Sequence, residues 1–247
     1  MCYNVYQQGT GDVKPVLPPY NICNSKISAF LAKYPPGHFA GFWKYKLSIE
    51  SNHHASILDE DHLDQTAKLI SAMLNSPEWK MACTGIPASS HIKSILRGIA
   101  SPYLKIRNTT LGSGKIASIR HDLSITYSGL RGITHTKYSN DPDGLGRYFI
   151  VGKAKVLMFT WGQTPGFDTY VRRNFRSWTH PPPPLYLPHL MPRVQEQKRY
   201  TPDEFCDILE ELDRWVQAWP LNNTGKPFQS LNTDWPAGRI VDVIYWW

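Results

Sequence analysis

Apolar residues recur at helical spacing in several separate stretches of this chain, and prolines cut the sequence between them. Leu58, Leu63, Ala67, Ile70 and Leu74 step by three to five residues, which predicts a helix with one buried face, and Pro77 follows its end. Asp59 or Asp61 stands where its N-cap belongs. Ser89 or Ser90 opens another helix, with Ile92, Ile95, Leu96 and Ile99 on one face. Thr201-Pro202-Asp203-Glu204 carries the strongest start signal: a Thr cap, a proline at the first helical position and a Glu that completes a capping box. Phe205, Ile208, Leu209, Leu212, Trp215 and Val216 then form the buried face. The stretch 116–130 fits both helix and strand and is read as helix. Residues 147–161 are an apolar segment, and 168–178 a short basic helix. The prolines at 15, 18, 19, 35 and 36 make residues 1–40 an irregular arm around one short helix near 26–33, ahead of a helical domain over 41–247. Pro181, Pro182, Pro183 and Pro184 form a stiff polyproline connector. The expected fold is mostly α, with long Pro-rich connections.

A chain of 247 residues, 41% hydrophobic and 19% charged, can bury a core and is neither a disordered tail nor a coiled coil. No stretch approaches the roughly 18 continuous apolar residues of a membrane span. The polar first 11 residues carry no basic-then-apolar leader, so a cytoplasmic or nucleoid-associated protein is expected. Cys2, Cys23, Cys83 and Cys206 are far apart, which excludes a disulfide scaffold and a four-cysteine zinc site and fits reduced thiols.

Charge narrows the partner. Residues 1–200 hold 24 Lys+Arg and 12 Asp+Glu, or +12, whereas 201–247 hold 3 and 8, or −5. A body this basic attracts polyanions, and nucleic acid is the commonest one inside a cell. Aromatic and cationic residues interleave in Phe42-Trp43-Lys44-Tyr45-Lys46 and in Arg173-Asn174-Phe175-Arg176-Ser177-Trp178. That mixture suits phosphate contacts with base stacking, although most such rings in any protein belong to the core.

One region carries a constellation suited to chemistry. A Gly- and Asp-rich turn, residues 140–146, leads into the apolar segment, then into Gly162-Gln163-Thr164-Pro165-Gly166, and then to Asp168 at the head of an Arg-rich helix. Glycines let a phosphate approach the backbone, and the unpaired N–H groups of a helix start bind anions. Gly144-Leu145-Gly146-Arg147-Tyr148 resembles the hairpin of the helix-hairpin-helix DNA glycosylases, the endonuclease III superfamily. Phe167-Asp168-Thr169-Tyr170-Val171-Arg172-Arg173 resembles the segment that carries that superfamily's essential Asp. Gly146 and Asp168 lie 22 residues apart, close to the family's interval, and the likeness covers about 37 residues, 142–178.

The resemblance implies a helical glycosylase-like fold and a base-excision enzyme acting on double-stranded DNA as a monomer. Asp168 would stabilise the positive charge that builds on the sugar as the N-glycosidic bond breaks and would orient a water. Its plainer role is that of an N-cap. Gly144, Gly146, Arg147, Lys153, Arg172, Arg173 and Arg176 would contact DNA, Arg172 and Arg176 sharing one helix face. Base flipping needs a pocket of stacking rings; Tyr148, Trp161, Phe167 and Tyr170 are the candidates, with Trp178 and His135 beside them. Tyr148 stands where lyase relatives carry a Schiff-base lysine, which implies a monofunctional, water-using enzyme. A second alignment, through 155–160, is similar to the lysine-bearing helix of archaeal 8-oxoguanine glycosylases and makes Lys155 a candidate nucleophile, with Lys153 competing. No Cys-rich loop follows, so neither an iron–sulfur cluster nor another cofactor is expected. The divergent flanks and the abundance of aromatics admit a bulky substrate base, such as a hypermodified cytosine of phage DNA removed in antiphage defence.

Two rivals use the same residues or others. A non-catalytic helix-hairpin-helix DNA-binding module would keep the glycines and arginines and reduce Asp168 to a cap. A Mg²⁺-dependent, restriction-type nuclease would use Asp64 with Glu78-Trp79-Lys80. His53, His54 and His62 with Asp59 and Asp61 match no standard zinc spacing, and no metal is expected there. Nothing near Cys2 supports a role for it as an N-terminal nucleophile.

Overall fold

A computed structural model describes residues 17–34, 37–76, 88–130, 133, 150–167, 171 and 200–246. Among them the regular structure is entirely helical. The elements are α1 (Tyr20–Lys33), α2 (His38–Glu50), α3 (Glu60–Asn75), α4 (Ser89–Ile106), α5 (Arg120–Gly129), α6 (Ile150–Thr160), α7 (Pro202–Asn222) and α8 (Ala237–Trp246). Short 3-10 turns, Ile116–Ile119 and Phe228–Leu231, precede α5 and α8.

The apolar stripes read from the sequence face inward. Leu63, Ala67, Ile70 and Leu74 of α3 are buried against α4, whose Ile92, Leu96 and Ile99 are buried in turn. Each such Leu or Ile side chain removed from water contributes about 1.5–3 kcal/mol. At the head of α3, Asp59 occupies the cap position without capping; its carboxylate accepts the Ser56 N–H at 2.6 Å. The α7 start is as the sequence specifies: Thr201 Oγ1 accepts from the Glu204 N–H, and Glu204 accepts from the Thr201 N–H. All six residues named for its buried face are buried. The ambiguous 116–130 stretch is a 3-10 turn running into α5. Asp213 of α7 ties that turn down, accepting the N–H groups of Gly112 and Ile116. Arg120, at the head of α5, lies 2.7 Å from both Asp207 and Glu210 of α7.

The α1 helix begins at Tyr20, six residues before the stretch read from the sequence, and packs on α8. Cys23, Ile27 and Phe30 are buried there, and Lys26 Nζ donates to the Ile244 carbonyl at 2.8 Å. The Phe42 to Lys46 stretch forms the middle of α2. Phe42 and Lys46 face inward, Lys44 faces out, and Lys46 pairs with Glu50 one turn on. Its mixture of rings and cations therefore reflects an amphipathic helix whose inward charge is matched. Glu50 also receives the Ile57 N–H, and the Tyr103 hydroxyl lies 3.1 Å from it and 2.8 Å from the Thr160 carbonyl. Burial, and then the Glu50 charge, hold the Tyr103 phenol well above its usual range.

No helix among the described residues is long and apolar enough to cross a membrane.

Candidate functional site

The α6 helix is the centre of the arrangement. From Gly152 to Thr160 every residue is buried, so no solvent face exists. A helix apolar all round is a core helix rather than a surface one, and two lysines on such a helix require local compensation. Lys153 is 1% exposed, and its ammonium sits 4.4 Å from the centroid of the Tyr127 ring. Tyr127 stacks on Phe205 of α7 with centroids 4.2 Å apart and planes 14° from parallel, and its hydroxyl donates to the Tyr200 carbonyl. A cation over a desolvated aromatic face is held by the ring quadrupole. Lys155 is 4% exposed, and its aliphatic stem lies against Gly166, thirteen and eleven residues removed from Asp168 and Gly166 respectively.

The segment that follows α6 is pinned at several points. Gly162 leaves the helix at φ +82°, the left-handed conformation glycine adopts at helix ends, and its N–H reaches back to the Leu157 carbonyl. Its own carbonyl accepts the Gly238 N–H of α8 at 2.9 Å. Gln163 Oε1 accepts the Leu111 N–H, and Trp161 Nε1 donates to the Thr109 carbonyl, so the stretch after α4 braces the segment from the other side. Gly166 N–H donates to Asp242 Oδ1 at 2.8 Å, and Asp242 Oδ2 accepts from Arg239 at 2.7 Å. Phe167 then takes φ +47°, which L side chains adopt only under constraint, with its ring edge-on to Phe205.

The fold thus gathers Lys153, Lys155, Trp161 and Phe167 around one helix and its exit. Trp161 and Phe167, read as pocket walls, are both buried in the shared core. Asp168, Tyr170, Arg172, Arg173 and Arg176 lie outside the described residues, as do Gly144, Gly146, Arg147, Tyr148, His135 and Trp178. Phe167 and Val171, which flank Asp168 in the chain, are fully buried.

The rival metal residues are placed differently. Asp64 is exposed on α3, paired with Lys68 and Lys93, which hold its carboxyl below the usual range. Glu78 and Lys80 lie outside the described residues. His53 accepts from Arg107 and His62 from Tyr45, each through its backbone carbonyl. Among the described residues no group of His, Cys, Asp or Glu is arranged to hold a metal ion.

Sequence reading missed Asp242 and Arg239. The available signal was a charged pair three residues apart inside 237–246, where every other residue is apolar or glycine. Gln163 and Asp213 carried none, because each satisfies backbone groups that are distant in the chain.

No family model, curated protein or solved structure matches this chain.

Proposed function

We propose that this chain is a DNA glycosylase that flips a damaged or modified base out of duplex DNA and hydrolyses its N-glycosidic bond, leaving an abasic site. The observation that carries the reading is the meeting of Lys155 with Gly166: the chain leaving α6 turns back onto the helix two residues before Asp168. Gly166, two residues before Asp168 in the chain, is thereby tied to one buried helix. A catalytic carboxylate needs rigid support in the chain that precedes it, since rate depends on its geometry. The basic balance of residues 1–200 supplies the attraction to DNA.

In this reading Asp168 stabilises the sugar's positive charge and orients a water, and Arg172 and Arg176 hold phosphates around the extruded nucleotide. Tyr148 in place of a Schiff-base lysine makes the enzyme monofunctional. The base excised is for the assay to name, and a bulky modified cytosine of the kind carried by phage DNA is one candidate that flanks departing from the family pattern admit.

The test incubates the protein, without metal, with duplexes carrying uracil, 8-oxoguanine, alkylated purines or glycosylated cytosines, then applies alkali. Alkali-dependent breaks that disappear in Asp168→Asn support the reading and name the base. Breaks without alkali, trapped by borohydride, transfer the chemistry to Lys155 or Lys153. Binding with no release of any base leaves a DNA-binding module. Excision of ordinary damaged bases and none of modified phage DNA removes the modified cytosine as a candidate.

A further inference from the structure

The Arg239–Asp242 pair is placed where its charge does more than hold two helix turns together. Both residues are 4% exposed, and the Arg239 guanidinium stands 5.1 to 5.6 Å from the ring centroids of Phe30, Phe39 and Trp235. That setting holds the cation by ring faces from α1, α2 and the approach to α8, and directs one nitrogen onto Asp242 Oδ2. The second carboxylate oxygen accepts the Gly166 N–H. A charge-assisted hydrogen bond of this kind is stronger and more directional than one between neutral groups. The same helix takes the other end of the segment through Gly238 N–H and the Gly162 carbonyl. Lys155 Cε and Asp242 Oδ1 both lie within 3.6 Å of the point a Gly166 side chain would occupy, so the glycine is gripped between α6 and α8.

We propose that Asp242 is a positioning residue whose carboxylate holds the 162–167 segment against α6 through the Gly166 amide and thereby sets the catalytic carboxylate that follows it in the chain. The proposal rests on the glycosylase reading of Asp168. Asp242 acts through the Gly166 amide and touches no reacting atom.

The test compares two double variants, each removing the arginine so that no lone cation is left in the core: Arg239→Met with Asp242→Ala, and Arg239→Met with Asp242→Asn. Excision kinetics on the duplex that the wild-type chain cleaves are measured beside hydrogen exchange at the Gly166 amide. The alanine pair is expected to lose kcat roughly 100-fold, the penalty for a misplacement near 1 Å, with KM for DNA within twofold. Its Gly166 amide should exchange about tenfold faster or more, as for a locally released segment. The asparagine pair keeps an oxygen for the amide and should recover most of kcat.

Wild-type kcat in a folded alanine pair overturns the proposal, and so does equal loss in both pairs, which would mark a role in core packing alone. If the alanine pair does not fold, Gly166→Ala replaces it: the added carbon would stand 3.1 Å from Asp242 Oδ1, so the carboxylate must give by a few tenths of an ångström and its bond to the Gly166 amide lengthens. The proposal requires a fall in kcat there and fails without one. If the wild-type chain excises no base, the glycosylase reading falls by itself. Gly166 exchange then decides the clamp: faster in the alanine pair sustains it, and unchanged overturns it.

Discussion

Gly238 donates its backbone N–H to the carbonyl of Gly162 at 2.9 Å, and neither residue has room for a side chain. A carbon added at Gly238 would fall 2.4 Å from the Thr164 nitrogen; one added at Gly162 would fall 2.5 Å from the Trp43 ring. This contact lets the C-terminal helix approach the segment that leaves α6 closely enough for Asp242 to reach Gly166.

Gly162→Ala should therefore destabilise the fold by about 2 kcal/mol or more, combining the left-handed backbone with the clash against Trp43. Urea denaturation with an unchanged slope and a lower midpoint would show it. A midpoint equal to wild type would mean that the segment moves freely away from α2.

Asp168→Asn should cut base release by about 100-fold or more while leaving duplex affinity within a fewfold of wild type. Single-turnover excision and a binding titration at one fixed salt concentration separate the two effects. Undiminished release would return Asp168 to the role of a helix cap.

Excision should persist in excess EDTA. In the proposed chemistry a carboxylate and a water suffice, and Asp64 is engaged by two lysines. Strand cleavage that appears only with added Mg²⁺ would instead favour the nuclease.

The thiols of Cys23 and Cys206 are pushed up to about 12 by burial, against an ordinary 9.0, with Lys26 opposing the shift at Cys23 and Arg120 at Cys206. Both should resist alkylation at pH 8 in the native protein and react once it is unfolded. In the fold the neutral thiol is favoured, so between pH 9 and 12 the native state holds protons that the unfolded state has lost. The stabilisation from each thiol is complete below pH 9 and falls as pH rises through that window, by up to about 1.4 kcal/mol per pH unit. Urea midpoints that do not decline above pH 9 would contradict this.

Thr201→Ala should cost about 1 kcal/mol, because it orphans the Glu204 N–H at the start of α7. Thermal or urea unfolding of the variant gives the value directly.

Features contained within a turn or two of helix could be read directly from the residues. The Thr201 box, the α3 and α4 stripes and the inward face of α7 were all legible, because capping and 3.6-residue periodicity act between near neighbours. The early start of α1, the identity of α2 and the existence of α8 were less so. Ring–cation mixtures and nearly all-apolar stretches lack the polar-apolar contrast from which a helix face is read. Asp59 shows the limit even at short range: the right residue at the right place spent its carboxylate on Ser56. It is the packing of the helices that brings Lys153 to Tyr127, takes Trp161 and Phe167 into the core, and lets Asp242 reach Gly166 across 76 residues of chain. Such contacts depend on how helices pack, and packing reflects the shape of the whole core, which no local pattern of residue types encodes.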